Sequence, residues 1–498
     1  MTRHYLDILA EVIRTNWNQP ALTDYATLDG GEGNSYTYGE MYGQICALCD
    51  RFHQLGIQKG DHIAICGANS ANWVVAYLAI AAYSGVSVSI MHTQTPEGIM
   101  HQLYLSDATA LFVDIEIWAE LDSSRLINNR LKDVLLLTDF SLLNSTTIPS
   151  IAKPCVYLND ISFALQPLDT LAQICFTSGS TESQKGVMLS ARNISASAFC
   201  VTTAYTCHEN KELLCAFPLA HMFGVIGEVL VPLYQACHIT FFPSLSLTKS
   251  YVDALIRIRP YQILSVPMIV SALLKLRNGE VLQQLSKFVE YFSVGGAVFP
   301  VEMQQQILHY AIPLNVGYGM TETASLISVI APTYYRVGTT GKICSSLECR
   351  IASNGEILVR GENVMLGYYK DPEATAAKID KDGWLHTGDR GHLDEEGYLY
   401  VEGRLEQDMV VLPSGENISL PNVESIINQV DGVEESLVLV RNGHLVALVY
   451  ASTNLNRQDL LRTINPQLPS FSQLYDLEFV SAPFQRTEKR TIKRYLYQ

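Results

Sequence analysis

The chain has 498 residues, enough for two or three domains at roughly 150 residues each. Its 34 Lys and Arg stand against 50 Asp and Glu, a formal net charge of -16, so the surface repels a phosphate backbone and general nucleic-acid binding is excluded. Hydrophobic residues make up 48% and charged ones only 17%, a composition that buries a core and rules out a disordered chain.

Met1 to Asp7 contains no apolar run followed by a small-residue cleavage site, so no secretory signal is expected. The 11 scattered cysteines point to a reducing, cytoplasmic setting. Tyr38 to Leu55 reads as a helix stopped by Gly56, His62 to Cys66 as a buried strand, Ala71 to Tyr83 as a buried helix and Val86 to Ile90 as a strand. The stretch from Ile63 to Met91 lacks Asp, Glu, Lys and Arg, but its continuous apolar part, Trp73 to Ala82, is far shorter than the about 20 residues of a membrane span. Pro96 to Ser106 and Ala110 to Val113 repeat the helix-to-strand step, which implies a largely parallel sheet covered by helices. Cys46 and Cys49 form a CxxC on a helical pattern, with no second CxxC to complete a zinc site, so both are read as packing residues.

The α/β texture runs to about residue 330, and after Gly338 short β-like pieces with Asn354-Gly355, Asp382-Gly383 and Glu396-Gly397 turns take over. Beyond about Leu405 come a helix at Pro421 to Gln429, strands at Ser436 to Val440 and His444 to Tyr450, and a helix at Arg457 to Ile464. The expected fold class is therefore α/β. A large N-terminal domain of layered α/β subdomains plus a β-rich subdomain spans residues 1–403, and a small mobile α+β C-terminal domain spans 404–498.

The segment Phe176 to Leu189 follows an apolar strand, Leu171 to Phe176, and is built for an anion. Gly179 frees the backbone, the hydroxyls of Thr177, Ser178, Ser180 and Thr181 can donate to phosphate oxygens, and Lys185 adds a positive charge. A Walker loop would need Gly at 184 and Ser or Thr at 186, where the chain has Gln184 and Gly186. The segment instead resembles the phosphate-binding loop of the adenylate-forming superfamily of acyl-CoA synthetases, luciferases and peptide-synthetase adenylation domains. Gly317-Tyr318-Gly319-Met320-Thr321-Glu322-Thr323, Trp384-Leu385-His386-Thr387-Gly388-Asp389 and Tyr400-Val401-Glu402-Gly403-Arg404 resemble three further motifs of that family, in its order.

The resemblance implies an ATP-dependent, Mg²⁺-dependent ligase that converts a carboxylic acid, a fatty or other acyl acid, to an acyl-adenylate with release of pyrophosphate and then transfers it to CoA. Thr321 is expected on the α-phosphate, Glu322 on Mg²⁺, Tyr318 on the adenine, and Gly317, Gly319 and Met320 along the nucleotide. Asp389 is expected on the ribose hydroxyls, whose donors match a carboxylate's two oxygens, and Arg404 on ribose or phosphates. Read alone, Thr321 is a helix-capping residue. His221, in Phe217 to Gly224, is implied to face the reacting carboxylate, and Gly295, Gly296 and Ala297 to leave room in the acyl pocket. No acidic residue lies between Phe217 and Gly227, which disfavours an amino-acid substrate carrying an ammonium group. The alternatives are loading of an acyl carrier protein's phosphopantetheine and nucleotide and acyl binding without turnover.

Three departures stand out. Glu182 and Gln184 replace the family's usual Gly and Pro, and the segment Leu405-Glu406-Gln407-Asp408, with Asp408 as the expected pivot, is longer than the family's hinge. At the tail, Arg486 to Arg494 aligns throughout, yet Thr491 occupies the position of the family's lysine, and a neutral hydroxyl cannot supply that charge stabilisation. Lys489 and Lys493 flank it, and in an extended segment residues two apart share a face, so either is expected to supply the cation.

Overall fold

The computed structural model describes residues 2–121, 131–143, 161–177, 184–204, 211–243, 245, 248–331, 335–404, 409–411, 417–441, 444–468, 472–486 and 492–497. The chain divides into two compact units, one of residues 1–348 and 359–385, the other of 349–358 and 386–498. The β-like segments after Gly338, expected within the first domain, are thus shared between the two units.

In the first unit the predicted βαβ steps are present as helices Tyr38–Gln54, Ala71–Tyr83 and Pro96–Leu105 between strands His62–Cys66, Val86–Ile90 and Ala110–Val113. Thr37 and Glu40 cap the first of these helices reciprocally, satisfying two N–H groups that no turn of helix can reach. Helix Ala71–Tyr83 is buried on nearly every face, which is why its sequence is apolar without periodicity. Among the described residues no helix is long and apolar enough to cross a membrane.

The largest sheet has the order Gly367–Tyr368, Gly186–Ser190, Leu171–Phe176, Val86–Ile90, His62–Cys66, Ala110–Val113, Asp133–Leu136. Its five last-named strands are parallel, as helical crossovers require, while the hairpin from Leu171–Phe176 to Gly186–Ser190 is antiparallel. A second sheet orders Gln262–Ser265, Tyr291–Val294, Leu314–Tyr318, Ser328–Val329 and Lys342–Ile343. A third joins Ser35–Thr37, Pro20–Asp24, His238–Phe241 and Glu212–Cys215. Four motif segments leave the carboxyl ends of strands in these sheets, after Phe176, Cys215, Val294 and Tyr318, where open α/β sheets bind ligands.

A four-stranded sheet of Leu347–Ile351, Glu356–Gly361, Leu385–Leu393 and Leu399–Arg404 lies mostly in the second unit, which also contains a three-stranded sheet of Val433–Arg441, His444–Ala451 and Asp476–Phe479. Helices Leu420–Ile427 and Arg457–Ile464 cover the latter, with Val423, Ile427, Leu460 and Ile464 in one apolar cluster with Val438, Ala447 and Leu477. Cys46 and Cys49 are half-buried thiols on their helix, and burial pushes Cys49 up to about 12. Cys200 and Cys344, in contrast, form a disulfide with Cα atoms 5.7 Å apart, which the expectation of reduced thiols did not anticipate.

Candidate functional site

The hydroxyl-rich loop is closed at its neck by two hydrogen bonds. The Thr177 N–H donates to the Lys185 carbonyl at 3.1 Å, and the Lys185 N–H to Thr177 Oγ1 at 3.2 Å. Ser178, Gly179, Ser180, Thr181 and the unusual Glu182 lie outside the described residues. The other departure has a physical account: Gln184 is buried, and Gln102 Nε2 donates to its Oε1 at 2.7 Å. A side-chain latch from helix Pro96–Leu105 thus holds the position where the family has a stiff proline.

Strand Leu314–Tyr318 runs into a 3-10 turn at Thr321–Thr323. Thr321 opens that turn, but the capping hydroxyl belongs to Thr323, which accepts from the Met320 N–H at 3.2 Å, so the capping role read for Thr321 alone is corrected. Ala324 and Ser325 both have positive φ, 47° and 82°, an uncommon conformation for residues with a Cβ. Ser197 holds it by donating to the Ala324 carbonyl at 2.7 Å. The same bend presses on Gly319, where a Cβ would come within 2.1 Å of the Ser325 carbonyl oxygen, so only glycine fits. Glu322 is buried, and Tyr368 donates its phenol O–H to Glu322 Oε1 at 2.8 Å. The face of the Tyr368 ring carries Lys185 Nζ at 5.0 Å from its centroid. Gly317 and Tyr318 end the strand, half-buried beside Met320.

The wall expected for the acyl group is held by two buried polar side chains. Asn69 donates through Nδ2 to the Phe217 carbonyl at 2.9 Å and accepts the Leu219 N–H at 3.1 Å. Glu228, in a π-helical turn at Val225–Leu230, accepts the Phe217 N–H at 2.8 Å. His221 is buried and its N–H bonds the Pro218 carbonyl at 3.1 Å, closing the turn. Burial pushes the Glu228 carboxyl up to about 8, so this acid, one residue beyond the acid-free window, is mostly neutral at pH 7 and no counter-ion for an ammonium. Gly295 does not open space: a Cβ there would meet Phe223 Cζ at 2.9 Å, so the missing side chain accommodates an aromatic ring. Gly296, with φ 80°, and Ala297 are exposed beyond it.

In the second unit, Asp389 and Arg404 are direct partners across antiparallel strands, and Arg404 Nε bonds Asp389 Oδ1 at 2.9 Å. Thr387 fixes the backbone just before Asp389, accepting the Asp389 N–H at 3.0 Å while donating to the Ile357 carbonyl at 2.7 Å. Arg486 pairs with Glu435 at 2.9 Å, and Arg494, nearly buried, with Glu424 at 2.6 Å. Lys489 and Thr491, like the pivot Asp408, lie outside the described residues. Arg486 and Ile492 form an antiparallel bridge, and the Lys493 N–H donates to the Gln485 carbonyl at 2.8 Å.

Glu322 is the one carboxylate expected on Mg²⁺, and among the described residues no group of three His, Cys, Asp or Glu is placed to hold a metal. One carboxylate suits an ion that keeps waters and takes its remaining ligands from phosphates. Tyr368, Gln102, Asn69 and Glu228 escaped the sequence reading. Only Gln102 left a signal, a polar residue on the face of its helix that carries Ile99 and Leu103.

The family model of the AMP-binding enzymes matches residues 9–369. A 2-succinylbenzoate–CoA ligase from Oceanobacillus iheyensis is 30% identical over 426 residues, covering 83% of this chain and 82% of that protein. A 4-coumarate–CoA ligase from Arabidopsis thaliana is 26% identical over 488 residues, 91% of this chain and 84% of that one. In fold, the crystal structure of ATP-bound MatB from Rhodopseudomonas palustris superposes with a TM-score of 0.84 at 22% identity, covering 99% of this chain and 98% of that one. With the family model matching residues 9–369 and a CoA ligase 30% identical over most of both chains, the chain belongs to the AMP-binding enzyme family, as an acid–thiol ligase of the acyl-CoA synthetase type.

Proposed function

We propose that this enzyme activates an aromatic or aryl-substituted carboxylic acid with ATP and transfers it to the thiol of CoA. The observation that carries the reading is the convergence on one ring: Tyr368 bonds the carboxylate of Glu322 at 2.8 Å and bears the ammonium of Lys185 at 5.0 Å. A loop lysine for phosphate and a lone buried carboxylate for Mg²⁺ are the two opposite charges that a bound triphosphate requires.

In the first step a carboxylate oxygen of the acid bonds to the α-phosphorus of ATP as the bond to pyrophosphate breaks. Thr321 and Lys185 donate to the phosphates, Thr177, Ser178, Gly179, Ser180 and Thr181 line the loop, and Tyr318 stacks on the adenine. Glu322 would hold Mg²⁺, which would supply positive charge to offset that developing on the departing pyrophosphate. Asp389 and Arg404 take the ribose, His221 faces the acid's carboxylate, and Lys489 or Lys493 in the C-terminal domain from residue 404 supplies the tail cation. In the second step the CoA sulfur bonds to the acyl carbon, AMP leaves, and the thiol proton passes to solvent. An aryl acid is favoured over a long alkyl chain because Phe223 fills the space beside Gly295 and packs edge-on against Phe217, with centroids 5.1 Å apart. The names of the two curated relatives, a 2-succinylbenzoate and a 4-coumarate ligase, support the same class. The supply of ATP and CoA fits a cytoplasmic site of action.

The test is a panel of aryl and alkyl carboxylates assayed for pyrophosphate release with and without CoA. Acyl-CoA formed from an aryl acid supports the reading. Pyrophosphate release with acylation of a carrier protein's phosphopantetheine, and none of CoA, replaces the acceptor. No release with any acid leaves a binding protein, the outcome that Thr491 would then explain.

A further inference from the structure

The residue that joins the two charges, Tyr368, was given no step in the reaction above, and its placement follows from strand pairing. Gly367–Tyr368 pairs antiparallel with the strand that leaves the phosphate loop, Gly367 opposite Met188 and Tyr368 opposite Val187. Lys185 immediately precedes that strand, two positions from Val187, so a side chain opposite Val187 reaches Lys185 diagonally. The short strand is fixed on both sides: the Leu366 N–H bonds the Met188 carbonyl at 2.9 Å and the Tyr369 N–H the Gly186 carbonyl at 2.7 Å. Thr375 accepts the Tyr368 N–H at 2.8 Å, and Gly367 leaves the space that Thr375 needs, since a Cβ would lie 2.8 Å from its methyl. The same segment holds Glu322 twice, through the Met365 N–H to the Glu322 carbonyl at 2.8 Å and through the Tyr368 phenol to its carboxylate. Tyr368 is buried, so neither contact competes with bulk water.

We propose that Tyr368 is a positioning residue that couples the metal-holding carboxylate of Glu322 to the phosphate-loop lysine, Lys185, so that Mg²⁺ and the triphosphate are bound as one unit. The proposal rests on the roles given to Glu322 and Lys185 above. A phenol donor orients one carboxylate oxygen without neutralising the charge, and a ring face under an ammonium limits where it can swing. Removing the hydroxyl therefore loosens the carboxylate alone, whereas removing the ring loosens both.

The experiment is calorimetric titration of ATP into enzyme without acid substrate at a series of Mg²⁺ concentrations, which reads binding and not turnover. Y368F is expected to raise the Mg²⁺ concentration at half-effect by about tenfold, the scale of a hydrogen bond to a charged group, and to leave the Mg²⁺-free ATP affinity unchanged. Y368L is expected in addition to weaken Mg²⁺-free ATP binding by about three-fold, the scale of an exposed cation–π contact. In an E322Q background, Y368F should change the Mg²⁺ dependence no further. A Mg²⁺ shift in E322Q with none in Y368F overturns the proposal and leaves the reading of Glu322 standing. No shift in E322Q overturns the reading itself. Should Y368F fold poorly, K185M, at an exposed position, replaces it: effects of K185M and E322Q on Mg²⁺-ATP binding that combine non-additively support the coupling, and additive effects refute it.

Discussion

Asp389 and Arg404 face each other across adjacent antiparallel strands and are bound at 2.9 Å, so the two residues assigned to the ribose hold one another in place. Arg404 is half-exposed, and a pair of that kind adds at most about 1 kcal/mol to stability. D389A is therefore expected to melt near the wild type while losing about 1.5–3 kcal/mol of ATP binding, the scale of a charged hydrogen bond. Equilibrium ATP titration of the folded variant checks this, and an unchanged affinity rejects the assignment.

The Gln102–Gln184 latch is expected to act on nucleotide and not on acid. Q102L leaves the buried Gln184 amide short of a donor, a loss of about 1–3 kcal/mol, part of which falls on the loop's lysine end. The KM for ATP should rise several-fold with the KM for the acid unchanged. In a Q184P background, where no amide needs a donor, the same Q102L substitution should have little effect. Equal rises in both KM values would mean that Gln102 serves only the core.

Asn69 makes the opposite prediction. N69A strands the Phe217 carbonyl and the Leu219 N–H, so the wall before His221 relaxes. The acid's KM, and the preference among acids of different width, should change more than the KM for ATP. Steady-state kinetics over a small acid panel decides it; a purely thermal defect with unaltered selectivity removes Asn69 from the site.

Glu228 links stability to pH. Its folded pKa, pushed up to about 8 by burial, exceeds its ordinary value of 4.5, so the folded state holds a proton that the unfolded state has released. The stability it contributes is full below the ordinary value and falls as pH rises through about 8, with a slope approaching about 1.4 kcal/mol per pH unit. E228Q, fixed in the neutral shape, should lack this decline, so urea unfolding between pH 5 and pH 8.5 should show wild type losing ground against it. Parallel pH profiles would show that Glu228 is ionised in the folded protein throughout.

Thr491→Lys tests the tail. If a flanking lysine already supplies the cation, the substitution should raise the rate of adenylate formation less than about three-fold, whereas Lys489 and Lys493 replaced together by Ala should abolish it. A rise of a hundred-fold or more, about 2.7 kcal/mol of barrier, would show that the natural chain lacks an effective cation there.

The elements between Tyr38 and Val113 were legible because their signal is local. A period of 3.6 or 2 in apolar residues reports which face meets a core, and a Gly or a capping Thr reports where the chain stops. The motif order Thr177 to Lys185, Gly317 to Thr323, Trp384 to Asp389 and Tyr400 to Arg404 was equally a property of the linear chain, and it was enough to reach the family and the reaction type. What periodicity cannot report is which distant strands lie side by side. Tyr368 meets Glu322 across 46 positions, Gln102 meets Gln184 across 82 and Asn69 meets Phe217 across 148, each through one directional hydrogen bond in a buried setting. Such a bond exists only once the tertiary fold has brought donor and acceptor within about 3 Å, and nothing in the spacing of either residue encodes its partner.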